Sequence, residues 1–134
     1  MPTSRVAKVK TCQQGGRTQI LIAFEDEYRI YRDTIAAAIR ILCPRAEVET
    51  AGLDEIGERI ARFDPHVVVC SRPNTVDQGG RLAWVQLPMN PTRPTKVCAG
   101  GRYSELTNPT LEVLLRVIEE TERLVQTKGA RVGC

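Results

Sequence analysis

Five apolar residues in a row, Ile20 to Phe24, run directly into three acids, Glu25, Asp26 and Glu27. A short all-apolar run bounded by charges fits a strand buried on both faces. Beyond it, Tyr28, Tyr31, Ile35, Ile39 and Leu42 recur at spacings of three and four, which predicts an amphipathic helix. A buried strand feeding a helix through a short acidic turn is the first half of a βαβ unit, and it commits the chain to a parallel neighbour.

The following residues supply that neighbour. Pro44 stops the helix. Ala46 to Ala51 alternates like a short edge strand, and Leu53, Ile56, Ile60 and Phe63 mark a second helix that Asp64 and Pro65 close. His66 to Cys70 is a second all-apolar run and reads as a central parallel strand. Leu82 to Leu87 and Lys96 to Ala99 predict two further strands. Between them Pro88, Pro91 and Pro94 forbid a regular helix. Asn108 and Pro109 then cap a last helix whose stripe is Leu111, Leu114, Ile118, Thr121 and Val125. Right-handed crossovers fold such an order into a five-stranded parallel sheet with helices on both faces. The third and fourth crossover helices are shortened or absent. The expected organisation is a flexible arm over residues 1–17, one α/β domain over 18–127, and a tail over 128–134.

Composition narrows the function. With 134 residues the chain builds one core, and 19 cationic against 16 acidic side chains leave a net charge of +3. That is too mild for a nucleic-acid surface, and the few aromatics fall in predicted core positions. No run approaches the ~20 apolar residues of a membrane span. The arm lacks the apolar stretch of a signal peptide, so a cytoplasmic protein is expected. Cys12, Cys43, Cys70, Cys98 and Cys134 are odd in number and widely spaced, form no Cys-x-x-Cys motif, and are read as structural thiols.

The segments Leu21 to Tyr28 and Phe63 to Ser71 together resemble the receiver domain of bacterial response regulators, whose CheY-like, flavodoxin-like three-layer α/β/α fold implies the strand order 2-1-3-4-5. The resemblance extends over roughly residues 18 to 127. It implies that Glu25 and Asp26 match the acidic pair that holds magnesium in receivers. The family's phosphoacceptor aspartate falls on Ser71. Its switch hydroxyl falls near Leu87 and Pro88, and its lysine near Gly100 and Gly101. Phosphoryl transfer needs a carboxylate nucleophile, a metal on the phosphoryl oxygens and a cation beside the product. Two acids remain and three functional positions do not. The expectation is therefore a degenerate acidic pocket of Glu25, Asp26 and Ser71, with no cofactor and no metal beyond Glu25 and Asp26 as weak candidates. It describes a non-enzymatic signalling or interaction module that works through a protein partner or a second copy.

The alternative is a protein or enzyme that binds a small anion or nucleotide phosphate at the carboxyl edge of the sheet, where parallel sheets hold ligands. Its residues would be Arg72, Asn74, Arg81, Gly100, Gly101 and Arg102. Glycine pairs expose backbone N–H groups and arginines pair with anions. With five parallel strands, Arg72 and Arg102 would also reach Glu25 and Asp26 and neutralise them internally.

Overall fold

The computed structural model describes residues 18–75, 80–90, 92–107, 111–127 and 133–134. The arm over 1–17, most of the tail, Gly79, Pro91 and the cap at Asn108 and Pro109 lie outside the described residues. The elements follow in order as β1 (Gln19–Phe24), α1 (Arg29–Leu42), β2 (Glu47–Gly52), α2 (Ile56–Phe63), β3 (Val67–Cys70), β4 (Ala83–Gln86), β5 (Thr95–Ala99), β6 (Arg102–Leu106) and α3 (Leu111–Thr127). Single 3-10 turns, Asp26–Tyr28 and Leu53–Glu55, lead into α1 and α2.

The sheet has the order β2-β1-β3-β4-β5-β6. Strands β1 to β4 are parallel, but β5 runs antiparallel to β4 and β6 antiparallel to β5. The sheet is thus mixed and six-stranded, not purely parallel and five-stranded. The reason is connection length. A parallel return needs a dozen or more residues, usually a helix, and the proline-rich stretch between Gln86 and Thr95 is too short. No fourth crossover exists to be shortened. β6 follows β5 through Gly100 and Gly101, which take φ of +60° and +83°. Two successive left-handed residues make the tight turn whose twist suits a hairpin, and glycine adopts them without strain. A Cβ on Gly100 would also come within 3.1 Å of Leu124 on α3. The glycine pair is therefore explained by its turn.

Alternation along the strands divides the core. Ile20, Ile22, Phe24, Val67, Val69, Val85 and Val97 face α1 and α3. Leu21, Ala23, Val68, Cys70, Trp84 and Cys98 face the other way, towards α2 and Cys134. Asp64 ends α2 in the left-handed region at φ +52°. An aspartate tolerates that better than most side chains. Its carboxylate accepts from Arg81 at 2.9 Å, and Arg81 donates to the Pro65 carbonyl at 2.7 Å.

Two cysteine expectations are corrected. Cys98 and Cys134 form a disulfide, Cα to Cα 5.9 Å, and Cys43 is also disulfide-bonded. Cys134, placed by sequence in a tail, is buried on the second face. Its N–H donates to the Arg81 carbonyl and its carbonyl accepts from the Asn74 amide at 2.8 Å. Among the described residues only Cys70 is a free thiol, and burial pushes its pKa up to about 12.

One buried acid is out of place in this core. Glu122 of α3 is 1% exposed, and among the described residues its Oε1 finds no hydrogen bond of good geometry. Burial raises its pKa above the ordinary 4.5; the Thr18 hydroxyl opposes the rise and the Glu119 charge adds to it. A raised folded pKa means the folded state holds the proton more tightly than the unfolded chain does. The penalty is absent below pH 4.5 and grows as pH rises through the folded value. Glu122→Gln is expected to stabilise the protein at pH 7 by about 1 kcal/mol. Melts at pH 7 and pH 3.5 check this, because the gain should disappear at the lower pH.

Candidate functional site

The carboxyl ends of β1, β2 and β3 all open onto one edge, and each sends a short polar segment over it. β1 gives Glu25 and Asp26, β2 gives Leu53 and Asp54, and β3 gives Ser71 to Thr75. All of these but Ser71 and Asn74 join Ile56 and Trp84 in lining a cleft of about 630 Å³. The cleft lies where the chain connection reverses direction between β1 and β3, the usual place for a ligand in an open α/β sheet.

Ser71 follows the last residue of β3 and stands beside Glu25. Its hydroxyl donates to Glu25 Oε1 at 2.9 Å. Arg72 Nε lies 3.7 Å from the other oxygen, Oε2. Glu25 is thus held from both sides by its own chain. Asp26 behaves differently: its side chain is 88% exposed and its ion pair is with Arg29 at 3.9 Å, one turn along. Such an exposed pair contributes little. Just beyond it, the Glu27 carboxylate raises the pKa of the Tyr28 phenol, with partial desolvation, a hydrogen bond to Glu27 and the Glu25 charge adding to the effect. The next residues of the third loop are tied from below. The Arg72 carbonyl accepts from Trp84 Nε1 at 2.8 Å and from Cys70 Sγ at 3.1 Å. Trp84, read from sequence as core, is buried and also holds the loop that carries Ser71 and Arg72.

No histidine reaches Ser71, and the one carboxylate that does, Glu25, is shared with Arg72. His66 is at the opposite end of β3, where its Nδ1 accepts the Gln19 backbone N–H at 3.0 Å. That bond requires the neutral ring, and burial lowers its pKa. The Cys70 thiol, at about 12, is no nucleophile either. Among the described residues no three of His, Cys, Asp and Glu converge as metal ligands.

The anion-binding set is not brought together. Arg72 and Asn74 stand at the carboxyl edge, but Asn74 is engaged with Cys134. Arg81 precedes β4 at the amino edge, bonded to Asp64 and Pro65. The antiparallel direction of β5 puts Gly100, Gly101 and Arg102 at that same amino edge, where Gly100 N–H donates to the Leu82 carbonyl at 2.8 Å. Arg102 is therefore at the far end of the sheet from Glu25, and the expected pairing between them does not form. Three acids against one arginine line the cleft, so an anion finds no net attraction there. Sequence reading missed Leu53, Asp54, Ile56, Pro73 and Thr75. The signal was available, because Leu53 and Asp54 leave β2 as Glu25 and Asp26 leave β1.

Comparison with known proteins returns no matching family model, no matching curated protein and no matching solved structure.

Proposed function

We propose that this chain is a receiver-like interaction module that cannot be phosphorylated and does not act as an enzyme. The observation that carries the reading is the Ser71 to Glu25 hydrogen bond at 2.9 Å. In the receiver pattern that the sequence resembles, an aspartate at this position attacks a phosphoryl group whose oxygens rest on metal. Here the position holds a hydroxyl in place of a carboxylate, and the one acid in its reach, Glu25, is also paired with Arg72, which competes with the hydroxyl proton for it. Serine attack needs a base to take its proton. Signalling by such a module goes through surfaces that bind other proteins. The cleft is apolar at its floor and acidic at its rim, which suits a basic side chain of a partner better than a phosphate.

Acetyl phosphate with magnesium is expected to leave the intact mass unchanged. Inorganic phosphate and nucleotides are expected to leave the melting temperature unchanged, since a ligand that binds only the folded state would raise it. A stoichiometric gain of one phosphoryl group, lost on Ser71→Ala, contradicts the proposal. A rise of several degrees with a nucleotide would favour a phosphate-binding protein instead.

A further inference from the structure

The two edges of the sheet are finished differently. β2 forms one edge, and its bonds to β1 use Glu47 and alternate residues, as the 2.9 Å bond from Glu47 N–H to the Thr18 carbonyl shows. The carbonyls of Val48 and Thr50 therefore face outward. Both accept from guanidinium groups on the flanking helices, Arg40 to Val48 at 3.0 Å and Arg59 to Thr50 at 3.5 Å. An incoming strand would have to displace these donors, which is one way proteins protect an edge. β6 forms the other edge. Among the described residues nothing is bonded to its outer side, and Arg102, Tyr103, Ser104 and Glu105 are exposed, Tyr103 by 79%.

We propose that the open edge of β6 is where a second copy of this chain pairs, antiparallel and centred on Ser104, so that Tyr103 of each copy stands opposite Glu105 of the other. This deepens the reading of the chain as an interaction module, on which it rests, by naming a partner and the strand that meets it.

The parity of the hydrogen bonds supplies the argument. Gly100 N–H bonds to the Leu82 carbonyl, so in the register of β4 and β5 it is Cys98 and Lys96 that bond to β4. Ala99, Val97 and Thr95 therefore bond to Arg102, Ser104 and Leu106 of β6. What remains pointing outward is the N–H and C=O of Tyr103 and of Glu105. Two such strands about a two-fold axis at Ser104 bring Tyr103 opposite Glu105 twice, each time as a pair that exchanges both bonds. All four outward groups of each copy are then satisfied, by four main-chain hydrogen bonds across the join. Neighbouring registers do worse. Centring on Glu105 sets two like charges face to face, and centring on Tyr103 sets Glu105 opposite Gly101, which the turn holds at φ +83°.

The side chains agree with this register. Tyr103 and Glu105 lie on the second face, where they line a cleft of about 640 Å³ with Trp84, Gln86, Lys96 and Cys98. Lys96 is the cross-strand neighbour of Glu105 within one copy. Pairing at β6 sets the exposed phenol of one copy beside Glu105 and Lys96 of the other and joins the two clefts into one trough. An isologous join of this kind closes on itself and leaves the two arginine-protected β2 edges outermost.

Sedimentation equilibrium tests the proposal. The wild-type chain should show a concentration-dependent mass rising towards twice 14.9 kDa. Tyr103→Pro removes an outward N–H but no bond of the β5–β6 ladder, a position where an edge strand accepts proline. It should reduce the mass to that of a monomer with the circular dichroism unchanged. Tyr103→Glu places acids opposite each other and should do the same, which decides the matter where the proline variant does not fold. Adding Glu105→Tyr to Tyr103→Glu restores an acid opposite a phenol and should restore the dimer. A wild-type monomer at millimolar concentration overturns the inference, as does a dimer that survives both single substitutions. Either result leaves the interaction-module reading standing, because that reading falls only to phosphorylation or nucleotide binding.

Discussion

Phe24→Ala is expected to destabilise the protein by about 3–5 kcal/mol, the range for deleting a fully buried phenylalanine ring. Phe24 is the last residue of β1 and is completely buried in the first-face cluster. Its ring meets Tyr31 of α1 edge to face, centroids 5.5 Å apart at 62°. Aromatic pairs of this geometry add to the simple burial of area. Because Phe24 directly precedes Glu25, the cavity would open beneath the turn that carries the acidic pair. Urea unfolding measures the loss, and a change below about 1 kcal/mol would show that the end of β1 is not packed against α1 as described. Against a typical total stability of about 5–15 kcal/mol, the predicted loss is large.

The second large effect concerns the Cys98 to Cys134 bridge. It joins positions 36 apart in sequence. Opening a loop of that size restores unfolded-state entropy equivalent to about 3–4 kcal/mol. Cys98→Ala with Cys134→Ala should lower stability by about this amount. It should also shift Trp84 emission to the red, because Cys134 and Trp84 share the second-face cluster. Equal melting temperatures for the wild type and the double variant would contradict the account. Cys70, buried and with its pKa near 12, should stay unreactive towards alkylating agents in the folded protein throughout.

Those two predictions fall on parts of the molecule that the sequence reveals unequally. The all-apolar runs ending at Phe24 and Cys70 mark strands buried on both faces, and the spacing from Tyr28 to Leu42 marks the helix between the first two strands. The order of the first five strands across the sheet is the one the resemblance implies. The direction of β5 is not legible in its residues, because a five-residue strand looks alike in either direction. Its length of connection did carry the answer, since no crossover fits between Gln86 and Thr95. β6 is harder to see, as Arg102, Tyr103, Ser104 and Glu105 are exposed on an edge and form no apolar pattern. Gly100 and Gly101 between two short strands are the hairpin signal, and an anion-binding role for them requires a parallel β5.

The site shows the same division. The adjacency of Glu25 and Ser71 follows from β1 and β3 being neighbours, because both residues leave their strands at the carboxyl edge. The involvement of Arg72 follows for the same reason. Arg81 and Arg102 depended on strand direction and on the path of residues that no periodicity describes, and both stand at the other edge. The disulfide was invisible to spacing, since cysteine positions alone do not say which pairs meet in space.

The central proposal is that Ser71 stands where a working receiver would place its aspartate. Magnesium titration by calorimetry, on the wild type and on Ser71→Asp, tests it most directly. A hard cation needs several oxygens, and the wild type offers an engaged Glu25 and an outward Asp26. The account predicts no binding heat for the wild type at millimolar magnesium and measurable binding once Ser71→Asp adds a third carboxylate. Tight binding by the wild type that Asp26→Asn abolishes would contradict it.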